Sequence, residues 1–192
     1  MPPIADKHLE ERILKAAHRL WCAQGKNRFT LRAIAREART TTPTIYQRFR
    51  NKEALRQALA LRFRDALNAE ICSSSSPEEA CRRHLLYAET NPLEYKLLAT
   101  SWPKLTPDVP RPARVWLLSQ LAARFGGEAE DYSQVFYVLF LLCHGAATLL
   151  ATEGDAALHE EIRENCLRVC NKAIENVGMF RSHPAAVDWS GS

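Results

Sequence analysis

The feature that most narrows what this chain can fold into is the stretch 30–55, TLRAIAREARTTTPTIYQRFRNKEAL, where a helical pattern stops and restarts within a few residues. Leu31, Ile34, Ala35 and Ala38 fall at helical spacing, the pattern breaks at Arg39-Thr40-Thr41-Thr42, and Ile45 with Phe49 resumes it. Two short helices therefore cross at a tight turn. Thr41 or Thr42 can cap the second one, and Pro43 then lies in its first turn, where a missing N–H costs nothing. Ala35 is small enough to let the two helices approach closely. The second then stands proud of the body and fits a DNA major groove, with Thr42, Thr44, Gln47 and Arg48 outward and Tyr46 beside them.

Charge points the same way. The 192 residues carry +4 overall, but residues 1–65 hold 15 Lys/Arg against 6 Asp/Glu, a net +9, which leaves −5 for the remainder. A basic half joined to a helix-turn-helix pattern reads as a nucleic-acid surface rather than as a merely solvated face. With 46% hydrophobic and 25% charged residues, the composition is that of an ordinary soluble protein.

The start Thr30-Leu31-x-x-Ile34-Ala35, the core Pro43-Thr44-Ile45-Tyr46-x-x-Phe49 and the run Asn51-Lys52-Glu53-Ala54-Leu55 together resemble the DNA-binding domain of the tetracycline-repressor (TetR) family of bacterial transcription regulators. The resemblance covers roughly residues 8–65. It departs at Arg39, where the family usually has glycine. A non-glycine residue there must accept a left-handed backbone at a cost of order 1 kcal/mol or shift the turn, and Arg39 can offset this by reaching a phosphate.

The resemblance implies an all-α protein with a three-helix helix-turn-helix DNA-binding domain followed by a helical effector-binding and dimerisation domain. It favours a phosphate contact for Tyr46 over packing on the first helix. Thr30 and Thr44 can cap or donate to phosphate, and Lys52, at a helix start, is a natural phosphate clamp. Base reading falls to Thr42, Pro43, Gln47 and Arg48: glutamine suits adenine, arginine suits guanine, and Pro43 or a threonine methyl suits thymine. Arg48 can instead contact phosphate. Arg32, Arg39 and Thr41 complete the expected DNA-binding set.

Along the chain, a helix over residues 6–24 carries Leu9, Ile13, Ala17, Leu20 and Trp21 on one face and stops at Gly25. The expected organisation is a helix-turn-helix domain over 1–50, a connecting helix over 51–72, a C-terminal helical domain over 73–180 and a loose polar tail over 181–192. The connecting helix carries Leu55, Leu59, Phe63 and Leu67 inward, and a ligand signal would travel along it. Pro77 and Pro92 open two further helices, the second ending by Trp102. Four prolines then mark a loop ahead of a helix over 113–125, and two long helices are expected over 131–152 and 155–177.

The first of these long helices is apolar on almost every side and needs cover that a second copy can supply. By resemblance, its His144-Gly145 pair lies in a dimer-forming four-helix bundle, and Phe140, His144, Gly145, Cys166 and Cys170 are the expected interface residues. Tyr87, Tyr95, Trp102, Trp116, Tyr137 and His144 are either core or the lining of an effector pocket, the latter being what the family resemblance implies. The six cysteines lack paired metal-ligand spacing and read as buried apolar fillers, so no metal or cofactor is expected. Cys166 and Cys170 could alternatively lie near a dimer seam and sense oxidants, with Arg163 and Arg168 the nearby cations.

No apolar run opens the sequence, and the apolar stretch 135–151 reads as too short to span a bilayer. The expectation is a cytoplasmic, nucleoid-associated protein with no membrane contact. An enzyme is disfavoured, since there is no glycine-rich phosphate loop or Gly-x-Ser-x-Gly elbow, and Arg163 stands where a His159-Glu160-x-x-His motif needs its second histidine. The reading that results is a homodimeric, ligand-responsive DNA-binding regulator, a repressor acting on a palindromic operator. The alternatives are a thiol-based redox-sensing regulator and a helical protein-interaction adaptor without DNA function.

Overall fold

Local signals set most of the helix ends. In the computed structural model, which describes residues 8–25, 29–101 and 111–180, the helices are α1 (Leu9–Gln24), α2 (Leu31–Glu37), α3 (Thr42–Arg48), α4 (Lys52–Cys72), α5 (Pro77–Thr90), α6 (Pro92–Ser101), α7 (Pro112–Phe125), α8 (Ser133–Leu150) and α9 (Ala156–Glu175). Single-turn 3-10 helices follow α7 and α9. No strand occurs among the described residues, so the protein is all-α. Thr30, Thr41, Asn51 and Ser76 each accept a hydrogen bond from the backbone N–H three residues on, which satisfies one of the donors a helix start leaves open. Trp102, the proline-rich loop after it and the tail 181–192 lie outside the described residues.

Two apolar cores result. The first joins Leu9, Ile13 and Trp21 of α1, Phe29, Ile34 and Ala35, Ile45 and Phe49, and Leu55, Leu59 and Phe63 of α4. The second gathers Leu67 of α4 with α5–α9 around Leu85, Leu98, Leu118, Tyr132, Leu139 and Leu150. Because helix residues four apart share a face, one stripe of α4 serves the first core at its start and the second core beyond Phe63. Burying a leucine or phenylalanine stabilises by about 1.5–3 kcal/mol, so α4 is fixed firmly at both ends.

A polar junction reinforces this. Glu94 at the start of α6 accepts hydrogen bonds from the Tyr87 hydroxyl at 2.7 Å and the Cys22 thiol at 3.2 Å, and meets His18 Nε2 at 2.7 Å. Trp21 Nε1 donates to the carbonyl of Leu93 at 2.6 Å. Glu94 thus ties α1 of the head to α5 and α6 of the body. Burial and the Glu94 carboxylate raise the pKa of the Tyr87 phenol, and the same two causes raise that of the Cys22 thiol to about 12.

The helix expected over 131–152 is longer than the apolar run 135–151 within it. The 3-10 turn Ala129–Tyr132 runs directly into α8, so Ala129–Leu150 is 22 residues and, by length and composition, is enough to cross a membrane. Only 28% of its most apolar window is buried. His144 and Gly145 lie within it without a break, in a helix whose flanks pack on α5 and α9.

Replacing Glu94 by alanine should remove the acceptor shared by His18, Cys22 and Tyr87. The expected cost is about 2–4 kcal/mol of unfolding free energy, with Glu94→Gln losing less. Urea denaturation with an unchanged midpoint in Glu94→Ala would show that the junction is not stabilising.

Candidate nucleic-acid interface

The turn between α2 and α3 decides where α3 points. Arg39 has φ 52°, the one positive φ of a non-glycine residue among those described. Its N–H bonds the carbonyl of Arg36 at 3.2 Å and the N–H of Thr40 bonds that of Ala35 at 2.9 Å, which is the paired closure of a Schellman motif. The chain therefore makes the glycine-type turn with an arginine and leaves the guanidinium on the surface. Thr41, not Thr42, is the cap of α3: its Oγ1 accepts from Thr44 N at 3.3 Å and lies 2.7 Å from Thr44 Oγ1. Pro43 follows in the first turn.

Ile45 is the single fully buried residue of α3, and Phe49 closes the helix onto the head core. Pro43, Gln47 and Arg48 are exposed, Tyr46 has 51% of its surface open, and Thr42 and Thr44 are half-buried. Thr30, Arg32, Arg39, Thr41 and Lys52 are exposed on the flanking segments. The structure thus brings the expected DNA-binding residues onto or beside one protruding helix. Lys52 differs in detail: its Nζ also sits 5.7 Å over the Phe29 ring, a cation–π contact that holds the ammonium near the start of α4.

Sequence reading missed a second basic feature. Arg12, Lys15 and Arg19 of α1 face Arg36 and Arg39 across a cleft that also includes Glu37 and Ala38. Arg19 Nε pairs with Glu37 at 2.9 Å and Lys15 with Glu11 at 3.5 Å, which leaves the cleft cationic overall. The spacing of Arg12, Lys15 and Arg19 marks one face of a helix, but its meeting with the turn is a tertiary fact.

The body holds a cavity of about 240 Å³ between α4, α5, α7 and α8. Leu67, Ile71, Leu117, Phe136, Leu139 and Phe140 make it largely apolar, and Arg64, Asn68, His84, Arg111 and Arg114 add polar groups. Among the aromatic residues and His144 expected to form a pocket, Tyr137 lines it. Tyr87 turns to Glu94, Trp116 packs on the body core, and Trp102 lies outside the described residues. Tyr95 is fully buried, its hydroxyl 2.8 Å from His84 Nε2 and 2.9 Å from His144 Nδ1. Burial and His144 push the pKa of His84 down to about 3, and burial lowers that of His144, so both rings are neutral.

The expected interface residues also divide. Gly145 is exposed, and a Cβ added there would meet nothing within 4 Å. Phe140 instead lines the cavity, stacked between Phe136 and His144. Cys166 and Cys170 face the core, because α9 turns its thiols toward α8 and its Val169 outward. Arg163 and Arg168 do not serve those thiols: Arg163 pairs with Glu89 and Glu160, and Arg168 donates to Asn165.

A short helix raised on a small helical head, joined through one rod to a larger helical body, defines the class: an all-helical fold with a helix-turn-helix head. Residues 13–59 match the family described as bacterial regulatory proteins, tetR family. Among solved structures, a TetR transcriptional regulator from Streptomyces coelicolor is similar at TM-score 0.65 and 20% identity, over 90% of this chain and 98% of that one. A TetR variant from Acinetobacter baumannii, solved in complex with minocycline, gives 0.66 and 19% over the same shares of each chain. No curated protein matches the sequence. The family match is confined to the head, while the likeness of fold to these two solved structures extends over 90% of the chain.

Arg39→Gly should relieve the left-handed arginine and stabilise the head by about 0.5–1 kcal/mol while removing a surface cation. Thermal unfolding of the two proteins side by side checks the sign. A lower midpoint in the glycine variant would mean that the arginine side chain contributes more than its backbone costs.

Proposed function

We propose that this protein is a homodimeric transcription regulator that represses from a palindromic operator and releases it when a small molecule occupies the body cavity. The observation that carries the reading is the exposure pattern of α3: a capped helix that buries Ile45 and turns Pro43, Gln47 and Arg48 to solvent beside a row of hydroxyls. Gln47, Arg48, Thr42 and Pro43 suit base edges in a major groove. Thr30, Arg32, Arg39, Thr41, Thr44, Tyr46 and Lys52 suit phosphates, with Arg12, Lys15 and Arg36 extending the cationic surface.

Arg64, Leu67, Asn68 and Ile71 of the cavity wall belong to α4, the helix that carries the head. An occupant that favours a different tilt of α4 changes the separation of two paired heads, and its differential affinity sets how far the population shifts. Tyr137, Leu141 and Leu149 of α8 and Leu158 and Val169 of α9 are large exposed apolar residues, and Gly145 leaves room beside them. A second copy packed there completes a four-helix bundle, the dimer that two half-sites require. Such a regulator works in the cytoplasm, where its DNA is, and binds rather than catalyses.

Selecting bound duplexes from a random library at near-physiological salt should enrich an inverted repeat. Gln47→Ala should then relax preference at particular positions by about 1–3 kcal/mol. Lys52→Ala should weaken all duplexes alike and flatten the salt dependence by about one unit. A library in which nothing is enriched would remove the reading. Leu141→Glu, on the outward face of α8, should yield a folded monomer by light scattering, and a persistent dimer would place the interface elsewhere.

A further inference from the structure

Four of the six cysteines meet inside the body although they come from three helices: Cys81 on α5, Cys143 on α8, and Cys166 and Cys170 on α9. All four are buried. The sulfurs of Cys81, Cys143 and Cys170 lie within 4.8 Å of one another, with Cys143 and Cys170 at 3.8 Å and Cys166 4.0 Å from Cys170. Metal–sulfur bonds of about 2.3 Å place sulfurs about 3.8 Å apart in a tetrahedral site and about 4.0 Å apart in a trigonal one. The cluster is thus nearly at ligating geometry, and its widest pair needs to close by at most about 1 Å.

We propose that Cys81, Cys143 and Cys170, with Cys166 beside them, form a binding site for a soft, thiophilic metal or metalloid ion. A space-filling role asks only for small apolar side chains and gives no reason for four sulfurs from three helices to converge. The triad itself is all sulfur, which selects soft ions over magnesium or calcium. Cys81 and Cys143 also line the cavity, which gives an ion a route in.

The chemistry balances in two ways. A divalent cation forms three sulfur–metal bonds as three thiol protons pass to water, leaving a complex of charge −1. Arsenous acid forms three sulfur–arsenic bonds as three arsenic–oxygen bonds break and three water molecules leave, giving a neutral product. Apolar neighbours such as Leu85, Leu139 and Ala147 favour the neutral product, because a buried net charge is costly. Ligation would clamp α5 to α8 and α9 beside the cavity wall. Ion binding stands apart from the proposed DNA function; only its effect on DNA release rests on that reading.

The test uses the reduced full-length protein without DNA, titrated separately with cadmium alone and with arsenous acid alone. Native mass spectrometry and near-ultraviolet charge-transfer absorption should show one ion per chain, and X-ray absorption a first shell of sulfur only. Cys170→Ala and Cys143→Ala should weaken binding by at least about a hundredfold, since even partners outside the ligand shell are worth 10–100-fold. Cys22→Ala with Cys72→Ala should leave it unchanged. Tight binding of arsenic but not cadmium assigns the neutral complex, and the reverse assigns the divalent ion; either supports the site. Failure of the wild-type protein to bind either ion overturns it. So does a shell containing nitrogen or oxygen, the signature of the separate His18, Cys22 and Glu94 group, a readout that needs no variant to fold.

Discussion

The structure depends on one helix belonging to two cores. Leu55, Leu59 and Phe63 of α4 anchor it in the head while Leu67 anchors it in the body, so neither core can rotate about α4 without exposing apolar surface of the other. Glu94 adds a polar tie from α1 to α5 and α6, and Arg62 of α4 pairs with Glu11 of α1 at 2.8 Å. The head is therefore held by packing along one line and by hydrogen bonds at another. Such a joint can pivot between a few arrangements more readily than it can deform continuously.

This division explains where a regulatory ligand would have leverage. The cavity touches α4 beyond the head core, at Arg64, Leu67, Asn68 and Ile71, whereas the Glu94 junction meets α4 at Phe63, whose carbonyl lies 3.3 Å from the Tyr87 hydroxyl. Pressure on the body end of α4 acts against a fixed point near its middle. The thiol cluster sits on α5, α8 and α9, so two of the helices that bound the cavity, α5 and α8, are ones an ion would stiffen.

Legibility in the sequence followed the range of the interaction. The cap at Thr30, the prolines that open α5 and α6, and the break in the helical pattern at Arg39 depend on residues a few positions apart, and the sequence shows them. The protruding face of α3 was likewise legible, because burying Ile45 and Phe49 fixes where Gln47 and Arg48 point. Tyr87, Tyr95 and Trp116 were indistinguishable from pocket residues, since the rotation of a buried helix is set by neighbours far along the chain. The same limit hid the thiol cluster, whose members lack any recurring spacing, and the cleft where α1 meets Arg36 and Arg39.

Tyr95 stands between two neutral histidines with a single hydroxyl hydrogen to give. If it donates to His84 Nε2 it must accept from His144 Nδ1–H, and if it donates to His144 Nδ1 it must accept from His84 Nε2–H, so the two imidazoles change tautomer together, both Nδ1–H in the first case and both Nε2–H in the second. His84 also lines the cavity, and a guest that reached its Nδ1 would favour one of the two tautomer states. That choice would reverse the O–H of Tyr95 and move the His144 proton on α8 from one ring nitrogen to the other, with almost no movement of heavy atoms.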